Sequence, residues 1–304
     1  MEFGWPDSSR PAYIHEIKVS RRFGIPSIIF RTDFRQIQWM GIRYGRATHN
    51  KLFLIRFCMA MYAWRINNMD LYHSIGRRKS CRAYTQEPLT TSQLDEMKKA
   101  LDEFELLYPD APIEYRFTSE TKGMFQVKAP HYLVFSGKGE DGEEENAGFI
   151  GQKLMLWLNA HELGGVWLGA SKDATKQRTR ADIIVLAFGT PEGSPHRTIS
   201  EFKRKPIAEI TNALEDECIK AVHLAPSGMN LQPWYLEKRE DTLRLYRQIL
   251  KPPMSLAYKL THIDMGIALC HYAVACDHFG KPFRFRASGN TEAKKGYEFI
   301  GEVN

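Results

Sequence analysis

The chain has 304 residues, of which 43% are hydrophobic and 26% are charged, so it can bury a substantial core in one large domain or two modest ones. Its five cysteines form no Cys-x-x-Cys pair, which argues against structural zinc and a secreted disulfide scaffold and predicts a reducing, cytoplasmic location. No run of about 18 uncharged apolar residues occurs, so we expect no membrane span.

The positive charge is confined to the N-terminal segment. The net charge is +6, but residues 1–68 contain 11 Lys/Arg and 4 Asp/Glu, whereas residues 69–304 contain 31 and 32. Nucleic-acid binding by this nearly neutral body is therefore not indicated. A nucleic-acid arm, an organelle transit segment and a small extra structural element remain open for residues 1–68. We favour a fourth interpretation, in which translation begins at Met69 and this basic extension is not part of the fold.

Residues 69–304 mix helical and strand patterns without a strict βαβ alternation. Apolar residues at helical spacing, with glycine stops, predict helices over residues 70–76, 92–107, 146–163, 207–225 and 264–278. Short apolar or alternating runs predict strands over residues 113–118, 131–136, 183–188 and 281–286. The arrangement favours an α+β fold over a doubly wound sheet.

Two stretches of the chain resemble each other. Residues 148–165 and 264–280 are each an apolar helix that is closed by glycine and followed by a strand. An ancient duplication would produce this pattern. Two core helices that obey the same packing rules would also produce it, and this second interpretation is the safer one.

The segment Arg77-Arg-Lys-Ser-Cys-Arg82 concentrates cations around a hydroxyl. A phosphate needs several charge-assisted donors, and arginine offers them in a planar fork. Taken alone, a solvated basic turn is the simpler interpretation.

The segment Pro226-Ser-Gly-Met-Asn-Leu-Gln-Pro-Trp234 holds an amide, Asn230, between two prolines. An asparagine can present both a donor and an acceptor to the polar edge of a ring system. The alternative is a rigid loop whose purpose is to pack Trp234 into the core.

Both segments resemble the signature segments of the FMN-dependent nitroreductase family, Arg-x-Ser-x-Arg/Lys and Pro-Ser-x-x-Asn-x-Gln-Pro-Trp. Residues 164–170 are similar to its glycine-rich Trp-x-Gly segment, and residues 203–206 to its Arg-Lys-Pro stretch. The resemblance runs from about residue 69 to residue 286. It implies FMN binding by the following positions: Arg78, Lys79, Ser80, Arg82, Leu168, Gly169, Arg204, Pro226, Ser227, Asn230 and Gln232.

The resemblance also implies a role for each group of positions. Arg78 and Ser80 would bind the phosphate, with the 203–206 stretch completing that site, and Arg82 would lie near the N1/O2 edge of the flavin. Asn230 would face the pyrimidine edge, and the backbone of residues 164–170 would lie against the ring near N5, where glycine permits close approach.

The implied fold is nitroreductase-like, with a central mixed or antiparallel sheet flanked by helices. The implied activity is that of an FMN-dependent NAD(P)H oxidoreductase that uses NADH or NADPH to reduce a nitroaromatic, a quinone or a similar small acceptor. The flavin supplies the chemistry, so we expect no catalytic side chain and no metal. A flavin-binding carrier or sensor without turnover, and a flavin-fold enzyme of another reaction type, are the alternatives.

The order of the motifs departs from that of ordinary nitroreductases. Here the Pro-Ser segment follows the Trp-x-Gly segment, as in a subgroup with permuted order. Because the usual family forms an intertwined homodimer with flavin sites at the subunit interface, the resemblance implies a homodimer or an internal pseudo-dimer.

Other motifs are weaker. Residues 137–142 satisfy the Gly-x-Gly-x-x-Gly fingerprint, but three glutamates follow where a pyrophosphate would be repelled. His262, Asp264 and His271 could be imagined as metal ligands, yet one helix supplies most of them and no Cys or carboxylate completes a set.

Overall fold

The computed structural model describes residues 71–124, 126–175, 181–240, 242–253, 258–287 and 294–304. The basic extension, residues 1–68, lies outside these ranges, so the interpretation of that segment stays a prediction.

Five helices occur in the described part of the chain. They are α1 (residues 71–77), α2 (Thr91–Asp102), α3 (Glu143–Ala160), α4 (Glu217–His223) and α5 (Tyr258–His278). Side-chain caps explain where two of them begin. Thr90 forms a capping box with Gln93 at the start of α2, and the Asp216 carboxylate accepts hydrogen bonds from the first amides of α4. None of the described helices is both long enough and apolar enough to cross a membrane.

The strands form two four-stranded antiparallel sheets and a two-stranded ribbon. The first sheet has the order β1-β3-β6-β4, the second has the order β7-β8-β10-β9, and β2 pairs with β5. Their bounds are β1 Glu114–Thr118, β2 Thr121–Gly123, β3 His131–Gly137, β4 Gly164–Leu168, β5 Ser171–Asp173, β6 Ala181–Gly189, β7 Trp234–Arg239, β8 Thr242–Gln248, β9 Phe285–Ala287 and β10 Tyr297–Val303. The predicted α+β class is confirmed.

The helices α3 and α5 pack against each other in the core. Both are apolar on most of their surface and buried along most of their length, as expected for central helices. Two glycines allow the close approach. A Cβ at Gly148 would lie 2.0 Å from the Ile263 carbonyl oxygen, and a Cβ at Gly266 would lie 2.0 Å from the Glu145 carbonyl oxygen.

The predicted helix over residues 207–225 is wrong. Only a 3-10 turn (Ile207–Glu209) and α4 are helical there, and Thr211 instead pairs with Leu236 of β7. The Asn212 amide hydrogen-bonds with the backbone of Lys238, and Asp216 stops any upstream helix by capping α4. Short polar side chains here compete with the helix for backbone groups.

Candidate functional site

The basic segment after α1 is fixed between an edge strand and a loop. Ser80 forms a parallel bridge with Gly165 of β4, and the amide of Cys81 donates to the Gly165 carbonyl oxygen at 3.1 Å. On its other side, the amide of Lys79 donates to the Pro195 carbonyl oxygen at 3.2 Å. Residues 78–81 are therefore held in the fold by backbone hydrogen bonds on both sides and do not form a solvated turn.

Three arginines converge beside this segment, and we call Arg78, Arg197 and Arg204 the arginine cluster. Arg78 is only 2% exposed, and its Nε and Nη1 atoms have no hydrogen-bond partner within the described ranges. Burial, together with repulsion from the other two arginines, lowers the pKa of Arg78 to about 9. Burial and Arg197 lower the pKa of Arg204 to about 10.

Within the described part of the chain, no carboxylate is among the main charges that shift the pKa of Arg78 or Arg204. Glu201 opposes the lowered pKa of Arg197, but burial outweighs it. Buried guanidinium groups without an anion are costly, and a phosphate dianion relieves that cost through charge-assisted hydrogen bonds. The cluster therefore fits a phosphate.

The loop that carries Asn230 has a strained backbone. Met229, Asn230 and Gln232 have φ angles of 50°, 58° and 46°, in the left-handed region that costs a non-glycine residue roughly 1 kcal/mol or more. The Ser227 hydroxyl accepts a hydrogen bond from the Gln232 amide at 2.8 Å and closes the loop. Strain of this kind concentrates at ligand sites, where surrounding contacts hold it in place.

Two segments that lie apart in the sequence meet at this loop. The Asn230 Oδ1 atom accepts a hydrogen bond from Arg204 Nη1 at 3.0 Å, and Asn230 Nδ2 donates to the Lys203 carbonyl oxygen at 3.0 Å. Gln232 Oε1 accepts from the amide of Lys205 at 2.9 Å. The Arg-Lys-Pro stretch and the Pro-Ser loop are thus one unit, and Asn230 remains exposed.

The first turns of α5 contact both the Asn230 loop and the residues that follow β4. Asp264 Oδ1 accepts a hydrogen bond from the amide of Gly228 at 2.9 Å. One turn earlier, Leu260 lies against Gly169, where a Cβ would be 3.4 Å from Leu260 Cδ2. Leu168 precedes Gly169 and is buried. The predicted positions from both segments therefore meet at one end of α5.

Asp264 is an unusual carboxyl group. It is 3% exposed, and its Oδ2 atom has no hydrogen-bond partner within the described ranges. Burial raises the pKa of Asp264 to about 8, although the Gly228 amide opposes the shift. Burial therefore favours the neutral carboxylic acid over the carboxylate at this position.

Two site residues were missed by sequence reasoning, and one predicted residue is not joined to the cluster. Arg197 belongs to no recognisable motif, and for Asp264 the sequence suggests only a metal ligand. Arg82 is exposed, and no hydrogen bond in the described ranges connects it to the arginine cluster. Its role toward a flavin stays a prediction.

The residues of the Gly-x-Gly-x-x-Gly segment and of the candidate metal site make hydrogen bonds within the protein. The buried Glu143 carboxylate accepts hydrogen bonds from the amides of Lys138 and Gly139, both at 2.8 Å, so it occupies the donors that a pyrophosphate would need. His271 hydrogen-bonds with Gln152. Within the described residues, no group of three or more His, Cys, Asp or Glu side chains is placed to hold a metal.

A family profile described as "Putative TM nitroreductase" matches residues 70–276, more than half of the chain. The chain belongs to this nitroreductase family. Membership confirms the resemblance and places the protein among the oxidoreductases. No curated protein matches the chain.

Solved structures extend the comparison. The crystal structure of a "putative nitroreductase" from Thermotoga maritima has a TM-score of 0.55 and 18% identity, and the match covers 77% of this chain and 92% of that one. This likeness confirms the nitroreductase-like fold. The NADPH:FMN oxidoreductase from Vibrio harveyi, complexed with NAD+, matches with a TM-score of 0.34 and 16% identity over 42% of this chain and 72% of that one.

Proposed function

We propose that this nitroreductase-family protein is an FMN-dependent NAD(P)H oxidoreductase that reduces a small electron acceptor such as a nitroaromatic or a quinone. The arginine cluster carries the proposal. Among the described residues, the Arg78 and Arg204 guanidinium groups have no carboxylate among the charges that shift their pKa, and only Arg197 has one, Glu201. A strained loop next to the cluster presents an exposed amide. When bound, FMN would supply the redox chemistry by accepting a hydride from NADH or NADPH at N5 and delivering it to the acceptor.

The residues of the chain would bind and orient the cofactor. Arg78 and Arg204 would donate to the phosphate, with Lys79 and Ser80 beside them on the segment that runs along β4. An added dianion would raise the pKa of Arg78 back toward its ordinary value, because it offsets the repulsion from the other arginines. Phosphate binding would therefore stabilise the fold as well as hold the ligand.

The ring would be held by the loop and by the end of β4. Asn230 is exposed, and its side-chain NH2 group, which donates one hydrogen to the Lys203 carbonyl oxygen, keeps a second hydrogen for the pyrimidine edge. Pro226, Ser227 and Gln232 shape the loop, and Gln232 is 2% exposed. Gly169, which is exposed at the end of β4, would allow a flat ring to approach the backbone.

The test is an equilibrium titration of the full chain with FMN, followed by flavin fluorescence. We expect Arg204→Gln to weaken FMN binding by about tenfold or more, because it removes a charged donor to the phosphate. Lys98→Gln is the matched control, since Lys98 is a surface residue on α2 whose partner is the exposed Asp95. Thermal unfolding of both variants checks the fold.

Equal FMN affinity in Arg204→Gln and the wild-type chain, with Arg78→Gln also unchanged, would refute the phosphate assignment. Arg78→Gln is included because its guanidinium is the most buried of the cluster and has unpartnered nitrogens.

A further inference from the structure

The two four-stranded sheets follow one plan. In each, the first two strands along the chain are neighbours, the third strand lies at the edge, and the fourth inserts between the second and third. All neighbouring strands are antiparallel. A helix precedes the first strand of each sheet (α2 or α4), and a long helix follows the second strand (α3 or α5).

The contact between the two long helices is reciprocal. Gly148 of α3 meets the Ile263 carbonyl oxygen, and Gly266 of α5 meets the Glu145 carbonyl oxygen, both at 2.0 Å from the position of an added Cβ. Gly148 follows Glu145 by three residues, and Gly266 follows Ile263 by three. A contact in which residue i meets j while the counterpart of j meets the counterpart of i is the mark of a two-fold axis. The two halves of the chain therefore share one strand order and are related by an approximate two-fold axis between α3 and α5.

The same correspondence relates two loops. Asn146, two residues before Gly148, accepts a hydrogen bond from the amide of Tyr108 at 2.9 Å. Asp264, two residues before Gly266, accepts one from the amide of Gly228 at 2.9 Å. Tyr108 and Gly228 are thus counterparts, and each stands six residues before the next strand.

Asp110 consequently stands where Asn230 stands in the second half. A cavity of about 280 Å³ opens at Asp110, between residues 107–111 and the edge strand β9. Its described lining contains Glu140 and Asp141 and no basic residue. Tyr108 replaces Gly228, and its ring contacts Phe285 edge-on, with 5.4 Å between ring centroids.

The two counterpart sites therefore differ in charge. The Asn230 loop faces the arginine cluster through Arg204, whereas the Asp110 cavity has three carboxylates on its wall. Carboxylates repel a phosphate and leave it without charge-assisted donors.

We propose that the chain is an internal duplication that has kept only one of its two counterpart sites for a phosphate-bearing flavin, so that each chain binds one FMN at the Asn230 loop and none at Asp110. The inference rests on the proposed function, and it goes further by fixing the stoichiometry and the loop that is used. The site draws residues from both halves, because Arg78 and β4 belong to the first and Asn230 to the second.

The experiment titrates the full chain with FMN, counts bound flavin per chain, and repeats the titration on two reciprocal variants. Asn230→Asp places in the Asn230 loop the residue found at the Asp110 cavity, and Asp110→Asn makes the reverse change. Both substitutions are nearly isosteric, and aspartate tolerates the left-handed φ of Asn230. We expect one FMN per chain, a loss of affinity of about tenfold or more in Asn230→Asp because the new carboxylate pairs with Arg204, and less than about a twofold change in Asp110→Asn.

Two FMN per chain, or equal weakening in both variants, would overturn the inference and leave the proposed function standing. One FMN per chain that neither variant affects would also overturn it, because the flavin would then lie elsewhere. A folded chain that binds no FMN at any concentration would refute the proposed function itself. Thermal unfolding without flavin verifies that both variants fold.

Discussion

Replacing Asp264 by asparagine tests the structure at the point where α5 supports the Asn230 loop. The variant keeps an oxygen that can accept from the amide of Gly228, now at 2.9 Å from Asp264 Oδ1. Asn146 already performs this task for Tyr108 in the other half of the chain. The substitution removes the ability of the side chain to ionise and replaces the unpartnered Oδ2 by an NH2 group, whose effect on stability does not depend on pH.

The expected effect follows from proton linkage. Burial raises the pKa of Asp264 from 3.8 to about 8, so between these values the native chain holds a proton that the unfolded chain has lost. Wild-type stability therefore falls as the pH rises through this window, by about 1.4 kcal/mol per pH unit. Between pH 5 and pH 7 the stability of Asp264→Asn relative to wild type should rise by roughly 2 to 3 kcal/mol.

The assay is urea unfolding of both proteins at several pH values, followed by tryptophan fluorescence. Taking the difference between the two proteins cancels groups that both retain, including the neighbouring pair of His262 with Glu145. Asn146→Asp is the converse control and should acquire the pH dependence that Asp264→Asn loses. A stability difference that is constant from pH 5 to pH 7 would show that Asp264 is ionised in the native chain and would refute the reasoning.

Two further substitutions, each with a control, test the core and the loop of residues 137–142. Gly266→Ala should destabilise the chain by about 1 to 3 kcal/mol, because the new Cβ would lie 2.0 Å from a backbone oxygen of α3. The control is Gly193→Ala, whose new Cβ would meet nothing within 4 Å. It should change the free energy of unfolding by less than about 0.5 kcal/mol. Glu143→Ala should cost about 2 to 4 kcal/mol, since it strips three backbone amides of their acceptor. Glu144→Ala, which breaks only the pair with the exposed Lys259, should cost less than about 1 kcal/mol. Chemical denaturation measures all four, and equal effects within either pair would contradict the assigned contacts.

The parts of the fold that sequence predicts well are those where one strong signal acts alone. The long apolar run near residue 150 predicts α3, and the apolar runs of β3 and β6 predict buried strands. The sequence predicts the start of α3 at residue 146, three residues after its actual start at Glu143. Glu143 and its neighbours look like a surface loop, but the Glu143 side chain turns back onto the loop amides and begins the helix.

Other elements depend on contacts that the local sequence does not contain. The start of α5 is polar. It is helical partly because Thr261 is buried and its hydroxyl accepts a hydrogen bond from Arg247 of β8. The hairpin of β7 and β8 was not predicted, although the alternation of buried Leu243 and Leu245 with Arg244 was a usable signal.

The candidate site shows the same division. The resemblance to the nitroreductase motifs implies Arg78, Arg204 and Asn230, and the structure brings Arg204 and Asn230 into direct contact. Arg197 joins them only because the chain folds its loop back along residues 77–79, where its amide donates to the Arg77 carbonyl oxygen at 2.7 Å. Long-range pairing of this kind leaves no periodic trace in the sequence.

The most direct test of the central claim is the visible absorption spectrum of the purified full chain after it has been reconstituted with FMN and unbound FMN has been removed. The spectrum is recorded before and after NADPH is added in the absence of oxygen. The account predicts retained flavin absorption that NADPH bleaches faster than it bleaches free FMN, and that returns when a quinone is added. A folded chain that retains no flavin, or retained flavin that NADPH and NADH reduce no faster than free FMN, would contradict it.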